Sequence, residues 1–217
     1  APYASCPVGP AELAGNLLWI ERDRIAIVPG LSDCRRDVPD VMRGEEVQIF
    51  GALRLANLDE GLFVLPGTHS KWADVRGGKV TGFRTYMTGE VYGLLGRHSI
   101  LARTLEVNAA FDEAAFLQGV ARAGEGEGLL HNAFGVRALG LFDRLSPAQT
   151  SSYLSGVLIG EELVQQELVP GSEVIVIGAP ALAARYALAL KQEAVKVCTF
   201  GANATWAGLS EIARGYR

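Results

Sequence analysis

The chain has 217 residues, 49% of them hydrophobic and 20% charged, with a formal net charge of -4. Such a length buries one large core or two small ones, and the composition is globular rather than disordered or fibrous. Arg35-Arg36 is the only adjacent Lys/Arg pair, which excludes the basic face a nucleic-acid backbone requires, and no apolar run approaches the ~18 residues of a membrane span.

Cys6, Cys34 and Cys198 form an odd, scattered set without metal-site or paired spacing, as expected of a reducing compartment. No signal-peptide pattern is present, so the cytoplasm is the expected location. The opening APYASCPVGP lacks an initiator methionine and reads like a loop entered halfway.

In chain order, residues 16–28 contain WIERDRIAIV, which predicts one or two strands. Pro29, Gly30 and the polar segment through Pro39 read as the loop that closes them. A helix is expected over 45–57, where Val47, Phe50, Leu53 and Leu58 recur near helical spacing. Strands are expected at 62–65, 71–76 and 79–85. Gly77-Gly78 between the last two signals a tight hairpin, because both central positions of a primed turn take positive φ. Residues 89–105 turn helical. Asp112 is placed to cap a helix over 113–123, 124–128 is a glycine-rich loop, and the helices before Ser146 read as an inserted layer. A long helix over 151–168 stops at Pro170-Gly171. A buried strand (173–177), a helix (181–190), a short strand (195–198) and a last helix (204–214) complete the chain. Three antiparallel strands joined to alternating helices and strands imply an α/β fold, a mixed sheet with helices on both faces. That is the order of a ribonuclease-H-like domain.

Four segments carry candidate chemistry. In LPGTHSKW, Gly67 lets backbone approach a ligand closely. The N–H groups that follow make an anion-binding concavity, Thr68 and Ser70 add hydroxyls, and Lys71 adds a positive charge. No GxxxxGK or GxGxxG pattern occurs. In PDVMRGEEVQIFG, Asp40 in a loop or Glu45 in a first helical turn offers the carboxylate that orients a hydroxyl for phosphoryl transfer. On the residues alone plain capping is the preferred reading of either, with Asp40 a turn residue and Glu46 a solvated surface residue. Arg43 between them is suited to a substrate carboxylate or to a surface ion pair. In FRTYMTGE, Thr88 reads as a ligand contact or a helix cap, Glu90 follows in the first turn, and Arg84 faces an acidic substrate or a sheet-face salt bridge. In VIVIGAP, Gly178 and Ala179 end a buried strand at a helix start, where an adenosine can lie, and Gly201-Ala202-Asn203 repeats the geometry. His69, His98 and His131 share no metal-binding spacing; any metal is expected to be magnesium carried by ATP.

The strings PDVMRGEEVQIFG, LPGTHSKWADV and FRTYMTGEVYGLLGRHSIL resemble the 2-dehydro-3-deoxygalactonokinase family, within the superfamily of sugar kinases, actin and the Hsp70 chaperones, and the likeness runs along essentially the whole chain. The resemblance implies an actin-like ATPase fold of two lobes closing over ATP, Mg²⁺ and a sugar acid. The activity implied is phosphorylation of the terminal (6-) hydroxyl of 2-dehydro-3-deoxy-D-galactonate; kinases for other keto acids and a noncatalytic binding protein of the same fold are the alternatives. It places Gly67, Thr68, His69 and Ser70 beside the β- and γ-phosphates, and Gly178 and Ala179 near the base or ribose. For the base, alignment on Gly44 favours Glu45 and the family's preference for aspartate favours Asp40, with a slight lean to Asp40. The implied division is 1–43, a remnant of the N-terminal lobe; 44–61, an interdomain helix; 62–201, the C-terminal lobe with a helical insertion near 106–145; and 202–217, a returning helix. The family's strand-turn-strand of the form DWGTTN is not found in the sequence. That segment of the N-terminal lobe is therefore expected as part of the native protein, and a homo-oligomer is left open.

Overall fold

The computed structural model describes residues 2–106 and 108–216. The first half contains β1 (Tyr3–Ser5), α1 (Pro10–Gly15), β2 (Leu18–Glu21), β3 (Ile25–Ile27), β4 (Gly30–Asp33), β5 (Asp40–Met42), α2 (Glu45–Ala56), β6 (Gly61–Leu65), β7 (Ser70–Arg76) and β8 (Lys79–Tyr86). There follow α3 (Thr88–His98), a 3-10 turn (Ile100–Arg103), α4 (Glu113–Ala123), α5 (Leu129–Leu141) and α6 (Pro147–Val164). The chain ends with β9 (Glu173–Ile177), α7 (Pro180–Gln192), β10 (Lys196–Phe200) and α8 (Asn203–Gly215). These elements group into two compact units, one of Ala1–Tyr86, Glu173–Ala184 and Lys196–Arg217, the other of Met87–Ser172 and Arg185–Val195. Among the described residues no helix is long and apolar enough to cross a membrane.

The first unit is built on a five-stranded mixed sheet of order β10-β9-β6-β7-β8. β10, β9 and β6 are parallel, while β7 runs against both β6 and β8. Gly77 (φ 56°) and Gly78 (φ 70°) make the tight turn between β7 and β8, as their sequence requires. Alternate residues Phe63, Leu65, Ala73, Val75, Ile175 and Ile177 share a core with Val47, Phe50 and Leu53 of α2 and Ala204 and Ile212 of α8. The two helices approach very closely. A Cβ on Gly51 would lie 1.7 Å from the Ala204 carbonyl oxygen, and one on Gly208 1.8 Å from that of Val47.

A three-stranded sheet, β1-β4-β5, accounts for segments whose strands were not foreseen. Residues 30–33 are strand rather than loop, and Asp40 begins a strand rather than lying in a turn. Long-range pairing overrides local polarity here. Asp33 accepts a hydrogen bond from Phe83 N (3.2 Å), and Asp40 accepts from Thr85 N (2.7 Å) and the Thr85 hydroxyl (2.6 Å). Two carboxylates thus satisfy donors on the outer edge of β8, a position that otherwise invites a foreign strand. Asp33 is buried, and Arg35 grips it through Nε (2.8 Å) and Nη2 (2.6 Å), which holds its carboxyl down at about 2. β2 and β3 form a separate antiparallel pair.

In the second unit, α6 is buried on nearly every side and packs against α4 through Gly119 and Gly156, each facing the other helix's backbone. This helix begins at Pro147 rather than Ser151 because Ser146 N donates to Gln149 Oε1 (3.1 Å), closing a cap with proline in the first turn. The helix expected over 89–105 breaks at Ser99, whose extended backbone lets its Oγ accept from Leu101 N (3.0 Å) and start the 3-10 turn. Asp112 caps α4 as predicted, accepting from Ala115 N at 2.8 Å.

Candidate functional site

The parallel strands β6, β9 and β10 all end at one edge of the sheet, where ligands of open α/β sheets bind. There the first unit holds a cleft of about 910 Å³. The β6–β7 turn supplies Pro66, Gly67, Thr68 and His69 to its wall, the β9–α7 junction supplies Gly178, Ala179 and Pro180, and the β10–α8 junction supplies Gly201 and Ala202. Gly178 sits against the proline of the first turn, since a Cβ there would lie 3.5 Å from Pro66 Cδ. Arg43, Gly44 and Glu45, at the start of α2, complete the rim. The amino ends of α2, α7 and α8 therefore border one space. Unpaired helix N–H groups and aligned peptide dipoles favour anions at such ends.

Inside the cleft Lys71 is buried, and its ammonium lies 3.1 Å from Glu45 Oε1 and donates to the His69 carbonyl at 3.1 Å. The other Glu45 oxygen accepts from Arg43 N at 3.0 Å, which turns the carboxylate back over the first turn of α2. Glu46, expected in solvent, is instead 1% exposed. Its carboxylate folds onto Gly44 N (2.7 Å), and burial pushes its carboxyl up to about 7.

Of the residues singled out by sequence, Arg43, Glu45, Gly67, Thr68, His69, Lys71, Gly178 and Ala179 line the cleft. Ser70 is buried in β7, and Asp40 is held by Thr85. Arg84 stands opposite Trp72 in the β7–β8 ladder. Thr88 and Glu90 belong to the second unit. Met87, not Thr88, is the N-cap of α3, and the Thr88 hydroxyl donates to buried Glu162. Gln48 and Thr205 line the cleft without having been singled out. For Gln48 the readable signal was its place one helical turn after Glu45; for Thr205 it was the helix start following Gly201.

A glycine turn, helix amino ends, a buried lysine and a carboxylate gather around one cleft of an α/β domain, the features with which such domains can hold an anionic ligand. The chain matches the profile of the 2-keto-3-deoxy-galactonokinase family over residues 1–212, and it belongs to that family. A protein of Rhizobium meliloti (strain 1021) described as a 2-dehydro-3-deoxygalactonokinase is 39% identical over 223 residues, spanning 99% of this chain and 72% of that one. The 2-dehydro-3-deoxygalactonokinase of Escherichia coli (strain K12) is 36% identical over 218 residues, spanning 98% and 73%. A crystal structure described as a 2-dehydro-3-deoxygalactonokinase from Sinorhizobium meliloti, 39% identical, has a TM-score of 0.88 over 98% of this chain and 73% of its own.

Proposed function

We propose that the protein is an ATP-dependent sugar-acid kinase that phosphorylates 2-dehydro-3-deoxy-D-galactonate at its 6-hydroxyl during galactonate breakdown. The family and its named members support the substrate. The observation that carries the chemistry is the Lys71–Glu45 pair set among helix amino ends and the Gly67 turn.

In this reading the triphosphate lies along the Gly67–Ser70 turn, with the adenosine against Gly178 and Ala179. Lys71 moves from Glu45 to the γ-phosphoryl oxygens, where its charge offsets what develops in transfer. Glu45, so released, orients the 6-hydroxyl and accepts its proton as the oxygen attacks phosphorus in line and ADP departs. Glu45 is the better placed of the two candidate carboxylates, because the oxygens of Asp40 are already engaged by Thr85 and by Val41 N. Arg43 and Arg84 are proposed to meet the substrate carboxylate. Among the described residues no three His, Cys, Asp or Glu side chains cluster to hold a metal. A Mg²⁺ arriving with the nucleotide would stand beside the Gly67–Ser70 turn and Lys71 and would supply charge neutralisation at the phosphates.

The strand order β10-β9-β6-β7-β8, with only β7 reversed, supports a ribonuclease-H-like sheet of the actin-like ATPase type. We take α2 as the helix that joins two lobes, and the cytoplasm as the location, where ATP is supplied. Titration calorimetry with a nonhydrolysable ATP analogue tests the cleft. Lys71→Met is expected to weaken binding at least tenfold, and unchanged binding in that variant would remove the phosphate role from this site.

A further inference from the structure

Glu45 and Gln48 line the cleft, while Glu46 between them is turned inward and buried with Val47, Ile49 and Phe50. Its Oε2 accepts from Gly44 N at 2.7 Å, just as Oε2 of Glu45 accepts from Arg43 N at 3.0 Å. Each carboxylate reaches back two residues, and together they fix the two N–H groups on which α2 opens. Gly44 has φ 104° and ψ -33°, a backbone that residues with a Cβ rarely adopt. The space around it is open, so the turn and not crowding demands glycine. The N–H that Glu46 holds belongs to the peptide joining Arg43 to Gly44. That bond therefore sets the plane from which both Arg43 and Glu45 enter the cleft.

A charged acceptor is an expensive way to hold a turn in a core. Burial pushes the Glu46 carboxyl up to about 7, and the charge of Glu45 adds to the rise, while the N–H groups of Glu46 and Gly44 and the charge of Arg43 oppose it. Lys71 reaches over from β7 to Glu45, and Asp40 of β5 is engaged by Thr85. The charges on β9 and α8, which pack against α2, lie elsewhere: Glu173 opens β9 at the end away from the cleft, and Glu211, with Arg214 beside it, pairs with Arg54 in the last turn of α2. An apolar side chain would fill the same space without desolvating a charge. A perturbed carboxylate next to a candidate base points to chemistry rather than to packing.

We propose that Glu46 is a positioning residue for the transfer: its ionised carboxylate, bonded to Gly44 N, holds the Arg43–Gly44 peptide and keeps Glu45 aimed at the substrate hydroxyl. This rests on the kinase reading above. The neutral carboxyl is a weaker acceptor, so the turn slackens when Glu46 takes up a proton. Turnover therefore rises with pH across the interval in which the fold, which favours the neutral form, loses stability.

The test is kcat and KM from pH 5.5 to pH 8.5 for the wild type and Glu46→Gln, which keeps an acceptor but carries no charge. At pH 8 the variant is expected to turn over about tenfold more slowly, with KM for ATP within about twofold of wild type. At pH 5.5 the two kcat values should agree within about twofold. Substrate ionisation is common to both proteins and cancels in the ratio. A ratio constant with pH overturns the inference, because a merely structural glutamate gives the same ratio throughout. A wild type that forms no phosphoester at any pH fails the kinase reading instead, and the backbone then decides whether Glu46 holds the turn. The Arg43 and Gly44 amide resonances should shift through an apparent pKa of about 7 in the wild type and stay still in Glu46→Gln. Wild-type resonances that ignore this titration overturn the hold of Glu46 on the turn.

Discussion

Exchanging each candidate base for its amide separates chemistry from architecture. Asp40 accepts three hydrogen bonds, from Thr85 N (2.7 Å), the Thr85 hydroxyl (2.6 Å) and Val41 N (2.8 Å). The substitution Asp40→Asn turns an NH₂ group toward one of those donors, losing at least one bond to a charged acceptor. Such bonds contribute about 1.5–3 kcal/mol each, and partial exposure of the site places the loss near about 2 kcal/mol. For a chain of this size that lowers the melting temperature by about 4–8 °C. Turnover in Asp40→Asn is expected to stay within about threefold of wild type. Glu45→Gln reverses the pattern: a lost general base costs about 10²–10⁴ in kcat, or roughly 3–5 kcal/mol of barrier. Its melt falls by only a few degrees, because Lys71 keeps the His69 carbonyl. An ADP-release assay and a thermal melt on both variants decide the matter. Collapse of activity in Asp40→Asn at unchanged stability, with Glu45→Gln still turning over, would refute the assignment.

Other consequences are equally direct. Gly51→Ala drives a methyl to 1.7 Å from the Ala204 carbonyl, backbone that cannot yield without separating α2 from α8. It should lower stability by about 3 kcal/mol or more, whereas Gly15→Ala, which meets nothing within 4 Å, should be neutral or better in the same melt. Glu46 carries a carboxyl raised from 4.5 to about 7, chiefly by burial. The fold therefore binds its proton more tightly than the unfolded chain does, and stability falls as pH rises from about 4.5 to 7, by up to about 3 kcal/mol. Denaturant midpoints at pH 5 and pH 8 should draw together in Glu46→Gln, and parallel profiles would contradict the shift. Asp33, held at about 2 by Arg35, works in the opposite sense. Its stabilisation is present above pH 4 and lost toward pH 2, so Asp33→Asn should weaken the protein at pH 7 and flatten its acid limb.

The hairpin at Gly77-Gly78, the helix from Glu45 and the cap at Asp112 were legible because each rests on a local rule: positive φ, helical periodicity, a side-chain acceptor ahead of a free N–H. The same holds for the walls of the cleft, since glycine turns at strand ends declare themselves in the string. Strand β4 was not legible. It runs into SDCRRD, a string that reads as solvated loop until Arg35 neutralises Asp33 and β8 offers a donor from fifty residues away. Asp40 was misplaced for the same reason, its partner Thr85 being just as remote. Glu46 looked like a surface acid because periodicity says nothing about a carboxylate folding back onto its own helix amino end. The start of α6 could have been read from Ser146-Pro147 with Gln149, a capping signal in plain view.

The central claim is phosphoryl transfer to one hydroxyl of one keto acid, so the most direct test is to incubate the protein with Mg-ATP and 2-dehydro-3-deoxy-D-galactonate and follow the product by phosphorus and proton NMR. The account predicts a phosphomonoester coupled to the C6 methylene protons, formed in step with ADP and far faster than from the gluconate-derived epimer. ADP release without that ester, or an ester on another carbon, would contradict it.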